Sequence, residues 1–233
     1  MHNIKDKHLI IPFVEVENEV ITTKLVNEFF KLGCDGIFLI NYTVPCEELL
    51  LVYRILRKKF PNRWIGVSLN DVLAHEVLEV FPFDANGYWI NDIHLTYNRL
   101  EDKGLKNLYE IKSKKYSQIK IFGQVRISNY EKEKDFRLSI QIAKNFVDVL
   151  TIKGLNSLST TGFYLKIVSS SINFRNLGMS FSVFDTYKIK FYLPYVKYLL
   201  FFDGLVGYKS LQFDKFYSLL KVIRKYENNY IKQ

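Results

Sequence analysis

Cysteine is scarce in this sequence, and the two cysteines that it has are not placed to pair. Cys34 and Cys46 lie at opposite ends of a short apolar run that predicts a strand, which puts them about 20 Å apart at roughly 3.3 Å per residue. A disulfide needs Cα atoms within about 7 Å. We therefore expect two free thiols and a reducing compartment, which means a cytoplasmic protein.

Long apolar runs are also missing. The first seven residues are polar and lack the apolar core of a signal peptide. The most apolar segment, 191–208, is interrupted by Pro194, Lys197 and Asp203, so it cannot span a bilayer. No membrane partner is expected.

The chain lacks the motifs of several common sites. Its four histidines are scattered, without a His-Glu-x-x-His pair or paired cysteines, so no metal site is predicted. There is no Walker loop, dinucleotide fingerprint or Gly-x-Ser-x-Gly elbow, and no cofactor is predicted. These absences exclude the best-marked enzyme classes and leave the ligand open.

The composition is that of a globular protein with a basic surface. Of the 233 residues, 48% are hydrophobic and 24% charged, which is enough for a sizeable core. The net charge of +9 permits an anionic partner, although lysine on solvated helix faces is the better explanation. Nucleic acid is not expected as a partner, because basic helix positions such as Arg54, Arg57 and Lys58 accompany no groove-reading motif.

Alternating strands and helices dominate the sequence. In the segment 33–41, a glycine ends a helix and a short apolar run leads to the polar Asn41, a pattern typical of a parallel strand buried on both faces. Similar patterns predict eight strands, at 9–16, 37–40, 64–69, 87–90, 120–125, 147–152, 177–183 and 198–202.

Helical periodicity separates these strands, and we predict helices at 19–32, 47–60, 71–80, 95–115, 132–145, 163–172 and 211–226, with a short one after Asp185. This is an α/β protein with the count and length of a (β/α)8 TIM barrel. A doubly wound sheet is the alternative, but no Gly-rich turn follows the first strand. We expect a single domain over 1–233, with the barrel at about 8–226 and a frayed tail at 227–233.

Polar residues at the ends of the strands are the candidates for a site, because TIM-barrel active sites lie there. We select Glu15, Asp92 and Lys153 as candidate catalytic residues. The candidate substrate-binding residues are Glu17, Asn41, Asn70, Gln124, Arg126, Ser182 and Asp203.

Four of these candidates have specific chemical roles. Glu15 and Glu17 share strand parity, and either could be a general base or hold a sugar hydroxyl. Arg126 could bind a carboxylate or phosphate through two hydrogen bonds. Lys153 could contact phosphate, carry a proton or form a Schiff base. The alternative for Glu15 is a structural ion pair with Arg126 or Lys153.

Together, five segments resemble BtpA-like TIM-barrel proteins, a family near the ribulose-phosphate-binding barrels. They are 33–41, 64–70, 87–92, 122–125 and 147–151. The resemblance implies a TIM barrel with a pocket at the strand ends and a phosphorylated or nucleoside-like ligand. The loops after strands seven and eight depart from the usual phosphate site, since they carry Phe181, Phe202 and Asp203 where glycine-bearing turns are typical.

Three functions stay open from the sequence. The first is a small-molecule enzyme acting on a sugar-like, nucleoside-like or phosphorylated ligand. The second is a catalytically degenerate barrel acting as a ligand sensor or assembly subunit, including a homo-oligomer, with the aromatic run 191–202 as its interface. The third is nucleic-acid binding by basic helix faces.

Overall fold

The structure, a computed structural model, is a closed barrel of eight parallel strands. It describes residues 7–70, 76, 84–91, 106, 109–110, 112–114, 117–126, 133–153, 158–182, 188–203 and 213–230, without the side chains of residues 126, 182, 203 and 230. Each strand pairs with the next along the chain, and β8 closes on β1. The strands are β1 (Leu9–Glu15), β2 (Gly36–Ile40), β3 (Trp64–Ser68), β4 (Gly87–Ile90), β5 (Lys120–Arg126), β6 (Val149–Lys153), β7 (Leu177–Ser182) and β8 (Tyr198–Asp203). The predicted single-domain TIM barrel is confirmed.

Helices connect the strands along the outside of the barrel. Those in the described ranges are α1 (Glu19–Lys31), α2 (Cys46–Lys59), α3 (Glu133–Ala143), α4 (Leu158–Ser169), α5 (Ile189–Tyr192) and α6 (Phe213–Tyr230), with a 3₁₀ turn at Phe174–Asn176. None of these helices is long and apolar enough to cross a membrane. The helices expected at 71–80 and, for the most part, at 95–115 fall outside the described residues.

Helix α1 shows why local sequence predicted these elements well. The Asn18 side chain accepts a hydrogen bond from the backbone N–H of Ile21, so it caps the start of the helix. Gly33 follows the end of the helix with φ of +92°, a conformation that glycine adopts without steric cost. The predicted helix stop at Gly33 is confirmed.

Two helix bounds differ from the prediction by four or five residues because of buried side chains. Helix α4 begins at Leu158, five residues before its predicted start at 163, because buried Thr161 and Leu165 continue an apolar face. Helix α6 extends to Tyr230, and Glu227 is only 6% exposed. The tail expected to fray from position 227 is therefore ordered helix up to residue 230.

Aromatic rings fill the inside of the barrel. Phe13, Phe38, Trp89 and Phe122 form one cluster with Tyr198 and smaller apolar side chains. Their ring centroids lie 4.9 to 5.9 Å apart for the pairs Phe13–Trp89, Phe38–Trp89, Phe38–Phe122 and Phe122–Tyr198. A TIM-barrel interior is a packed core rather than a pore, so a ligand site belongs above this cluster and not within it.

Glycines on neighbouring strands make room for the largest of these rings. A Cβ atom on Gly36 or on Gly87 would lie 2.7 Å from the Trp64 ring, and one on Gly66 would lie 2.4 Å from Phe38. Real Cβ atoms do not approach carbon so closely, because packing in protein interiors is already dense. The alternation of glycine and aromatic residues therefore fits the interior of this barrel.

The N-terminal ends of the strands are held by a repeated arrangement that we call the strand-start clamps. An Asp or Asn immediately before β2, β4 and β6 accepts a hydrogen bond from a backbone N–H of the preceding strand. The pairs are Asp35 with Ile10, Asn86 with Ile65 and Asp148 with Ile121, at N···O distances of 3.0, 2.8 and 2.7 Å. The clamps also bind basic side chains: Asp35 binds Arg224 and Lys7, Asn86 binds Arg57, and Asp148 binds Lys112.

These clamps revise the expected role of one basic residue. Besides Asn86, the Arg57 guanidinium donates hydrogen bonds to the Tyr53 hydroxyl and to the carbonyls of Pro61 and Arg63. Arg57 therefore holds the start of β3 and β4, and it is not a free member of a basic face for nucleic acid.

Candidate functional site

The inward-facing residues change from apolar to polar at the C-terminal ends of the strands. In β1, Glu15 follows Ile11 and Phe13 on the inner face. In β5 and β7, Gln124 and Ser180 are also inward, and both are buried. We call this end of the barrel the mouth. It is the end at which TIM-barrel active sites lie.

Among the mouth side chains that the structure describes, Glu15 has neither a hydrogen bond nor an ion pair. The residue is 7% exposed, yet no hydrogen bond or ion pair joins its carboxylate to any residue that the structure describes. Lys153, one of the two partners considered for a structural ion pair, is exposed and makes no ion pair within the described ranges. A buried carboxylate without a partner is costly, and such costs are concentrated at functional sites.

Gln124 connects three strands across the mouth. Its Nε2 donates to the backbone carbonyl of Asn91 at 2.8 Å, and its Oε1 accepts from Ser180 Oγ at 2.9 Å. Beside it, Thr151 Oγ1 donates to the carbonyl of Gly123 at 3.0 Å. The Gln124 amide is thus fixed between β4, β5 and β7, which gives the floor of the mouth a rigid polar bridge.

Asn41 and Asn70 are joined by two hydrogen bonds. The Asn41 side-chain oxygen accepts from the backbone N–H of Asn70 at 2.9 Å, and Asn70 Nδ2 donates to the Asn41 carbonyl at 3.2 Å. Asn41 is 3% exposed, whereas Asn70 is exposed. The pair fixes the ends of β2 and β3 relative to each other.

The positive candidates lie on adjacent strands. The backbones of Arg126 and Lys153 are register partners in β5 and β6, and Lys153 is in turn the partner of Ser180 in β7. In the order of the barrel, β6 is three strands from β1. The backbone positions of the two basic candidates are therefore on strands that are not adjacent to the strand of Glu15.

The remaining predicted residues divide into two groups. Glu17 is half-buried in the loop after β1, where its backbone N–H donates to Thr22 Oγ1. Ser182 and Asp203 are paired through an irregular register at the ends of β7 and β8, and their side chains lie outside the described residues. Asp92 lies wholly outside them.

Aromatic residues below Glu15 were not among the predicted site residues. The rings of Phe13 and Phe202 are stacked with centroids 3.6 Å apart, and Trp89 lies 4.9 Å from Phe13 and 5.2 Å from Phe202. Trp89 Nε1 is buried and has no hydrogen-bond partner among the described residues. Counting every second residue from Gly87 would have placed Trp89 on the inner face.

The aromatic run at 191–202 was expected to mark an interface, but most of it is core. Tyr192, Tyr198 and Phe201 are each 3% exposed or less, whereas Phe191 is 62% exposed. The rings of Phe201 and Phe216 meet edge-to-face at 5.4 Å, which joins β8 to α6. The run therefore closes the barrel, and it does not supply an aromatic interface.

A cavity of about 240 Å³ lies at the opposite end of the barrel, beside the start of β6. Its lining includes Lys144, Asn145, Asp148 and Asn173. Asp148 is already engaged as a strand-start clamp, and the Asn173 side chain caps the 3₁₀ turn. Asp148 and Asn173 thus serve the fold, so the mouth is the better candidate site.

No group of three or more His, Cys, Asp or Glu side chains lies together in the described ranges in a way that could hold a metal ion. His8, which is fully buried, lies at the N-terminal end between Glu227 and the Leu193 carbonyl, and not at the mouth. Both cysteines are free and buried, in agreement with the prediction.

Solved TIM-barrel structures resemble the whole chain. A 2,3-dimethylmalate lyase of the PEP mutase/isocitrate lyase superfamily matches with a TM-score of 0.66 and 7% identity, over 97% of this chain and 84% of its own. The HpcH/HpaI aldolase from Desulfitobacterium hafniense matches with 0.61 and 12%, over 93% of each chain. Thiamine phosphate pyrophosphorylase from Pyrococcus furiosus matches with 0.60 and 14%, over 96% and 98%.

These identities show a shared fold and not a shared reaction. No family model and no curated protein matches the sequence. The function must therefore be argued from the residues at the mouth.

Proposed function

We propose that the protein is a small-molecule enzyme of the TIM-barrel class whose substrate binds at the mouth and whose acid/base group is Glu15. The observation that supports this most is the buried Glu15 carboxylate, which has no partner in the described part of the chain. A group that the fold does not use, held at the position of TIM-barrel active sites, is a candidate for catalysis.

The other mouth residues have supporting roles in this proposal. Lys153 and Arg126 hold an anionic group of the substrate from β6 and β5. Gln124 keeps the floor of the mouth rigid, and Asn41 with Asn70 positions the loops after β2 and β3. Asp92, Glu17, Ser182 and Asp203 complete the set of candidate contacts. Kinship with the BtpA-like barrels, and with it a phosphorylated or nucleoside-like ligand, remains part of the hypothesis.

A ligand sensor without turnover is the second candidate. The stacked pair Phe13 and Phe202 supports it, because a bulky ring stands at the end of β8, where phosphate-binding barrels have small turns. The sensor would use the same mouth and the same Glu15, but it would release its ligand unchanged.

A ligand screen by thermal shift, followed by turnover assays on each hit, tests the proposal. Sugar phosphates, nucleosides and nucleotides form the panel. A ligand at about 100 times its dissociation constant should add roughly 2.7 kcal/mol of stability, a rise in Tm of several degrees. We expect Glu15→Gln to abolish turnover of a hit while the protein stays folded.

Glu28→Gln is the matched control, because it makes the same chemical change at an exposed ion pair on α1. Turnover that persists at the wild-type rate in Glu15→Gln would contradict the catalytic role. A ligand that binds through Glu15 but is recovered unchanged would favour the sensor.

A further inference from the structure

The part of the mouth next to β1 combines a negative charge with aromatic surface. Glu15 and Phe13 are two residues apart on the inner face of β1, so their Cα atoms are separated by about 7 Å along the strand. Phe202 stacks on Phe13 and keeps part of its surface exposed. A molecule that enters the mouth at β1 would therefore meet a carboxylate and a ring together.

This combination favours a cation over an anion. Glu15 is 7% exposed and gains no partner in the described ranges, so a positively charged group there would supply the ion pair that its carboxylate lacks. The face of an aromatic ring also attracts cations, through its quadrupole. An anion in the same place would be repelled by Glu15 and would gain nothing from the ring.

The charges of the mouth are also separated. Lys153, on β6, is three strands from β1 in the barrel order. Glu15 and Lys153 therefore give the mouth a negative side and a positive side. A ligand with an ammonium group at one end and an anionic group at the other would match both.

We propose that the substrate or ligand of this protein carries a small organic cation, an ammonium group that binds between Glu15 and Phe202. Any anionic group of the same molecule points towards Lys153. This inference rests on the proposed site at the mouth and adds to it a class of ligand that the sequence did not suggest.

Three probe molecules of similar shape distinguish the effect of charge on binding from the effect of size. Benzylammonium, benzyl alcohol and benzoate differ in charge and have similar volumes. Binding to the full chain can be followed through the indole N–H signals in nitrogen–proton correlation spectra, because the protein has two tryptophans and Trp89 packs against Phe13 and Phe202. Trp89→Phe assigns the signal, and a probe of this size should bind with a dissociation constant of about 1 to 10 mM.

We expect benzylammonium to shift the Trp89 signal saturably and to bind at least about tenfold more tightly than the alcohol or benzoate. Glu15→Gln should remove that preference, whereas Glu28→Gln should keep it. Phe202→Leu, which leaves the carboxylate in place, should weaken benzylammonium several-fold without affecting the alcohol equally. The Phe202→Leu variant still tests the inference if Glu15→Gln folds poorly.

Equal affinity for the amine and the alcohol, a preference for benzoate, or benzylammonium binding that Glu15→Gln leaves unchanged would each overturn the inference. So would the absence of saturable binding by benzylammonium. The proposed enzyme survives these outcomes if the wider screen finds a neutral or anionic ligand whose turnover needs Glu15. It fails if turnover proves independent of Glu15 or if every ligand that binds is recovered unchanged.

Discussion

Among the carboxylate residues that the structure describes, Glu15 and Glu227 are both more than nine-tenths buried, but their surroundings differ. Glu227 accepts hydrogen bonds from the backbone N–H and ring Nδ1 of His8 and from the Arg224 guanidinium. Glu15 has no such donor in the described ranges. Glu227 therefore contributes to the fold, whereas Glu15 fits the ligand-binding role that we propose for it. Burial alone does not distinguish the two roles.

The first prediction concerns acid stability. Burial by itself would raise the pKa of Glu227, but hydrogen bonds from His8 and Arg224 outweigh it and hold the pKa below the ordinary value of 4.5. A lowered folded-state pKa gives stability that is present above pH 4.5 and is lost as the pH falls through the folded-state pKa. We expect wild type to exceed Glu227→Gln in free energy of unfolding at pH 7, and the difference to shrink towards pH 3 in urea titrations. Parallel pH profiles would contradict this.

The second prediction concerns the thiols. Burial raises the pKa of Cys34 well above its ordinary range, and the negative charge of Asp35 raises it further, against a smaller opposing effect of Arg224. Cys46 is buried as well. The thiolate is the reactive form, so a thiol-specific chromogenic disulfide reagent at pH 8 should label neither cysteine in native protein and both in denaturant. Rapid labelling of the native protein would count against the described burial.

At the scale of elements, the strand-start clamps explain how neighbouring strands are kept in register at the N-terminal end. The Asx residue before an even-numbered strand accepts a hydrogen bond from the odd-numbered strand before it, and a basic side chain completes the site, as Arg57 does for Asn86. The sequence showed the Asp or Asn before these strands, but not the partner N–H. Local patterns predict elements because caps, glycines and periodicity are local, whereas these bonds join positions 21 to 27 residues apart.

The third prediction tests one clamp. Asn86→Ala leaves the buried N–H of Ile65 without its acceptor and removes a partner of Arg57. Such a loss costs about 1–3 kcal/mol of stability, measurable by equilibrium urea unfolding. Asn145→Ala, at an exposed position in the loop after α3, is the matched control and should change stability by about 0.5 kcal/mol or less. Equal effects of the two substitutions would argue against the clamp.

At the scale of the whole molecule, side-chain contacts join the last helix, α6, to the beginning of the chain. His8, just before β1, is bonded to Glu227 of α6, 219 positions later. Arg224 of the same helix also binds Asp35, the clamp before β2. The fold could be predicted from the count and order of strands, because each strand is marked locally. The contacts of α6 with His8 and Asp35 could not be predicted in the same way. The tail was predicted to fray because the partners of Arg224 and Glu227 lie at the other end of the chain.

The fourth prediction concerns the packing of α6 on the barrel. A chain that ends before Phe213 lacks the helix that covers Phe29 and Phe201 through Phe216. We expect it to lose cooperative unfolding in circular dichroism and to expose apolar surface to a fluorescent dye. Removing only residues 231–233 should leave the unfolding transition unchanged. A cooperative transition without α6 would show that the helix is dispensable.

The most direct test of the central claim compares the free energies of unfolding of wild type and Glu15→Leu by urea titration. Leucine fills a similar volume without a charge, so removing an unpaired buried carboxylate should leave stability unchanged or raise it by about 1 kcal/mol. That result means that Glu15 is held at the mouth for a ligand. A loss of about 3 kcal/mol or more would mean that Glu15 has a structural ionic partner and would contradict the proposed site.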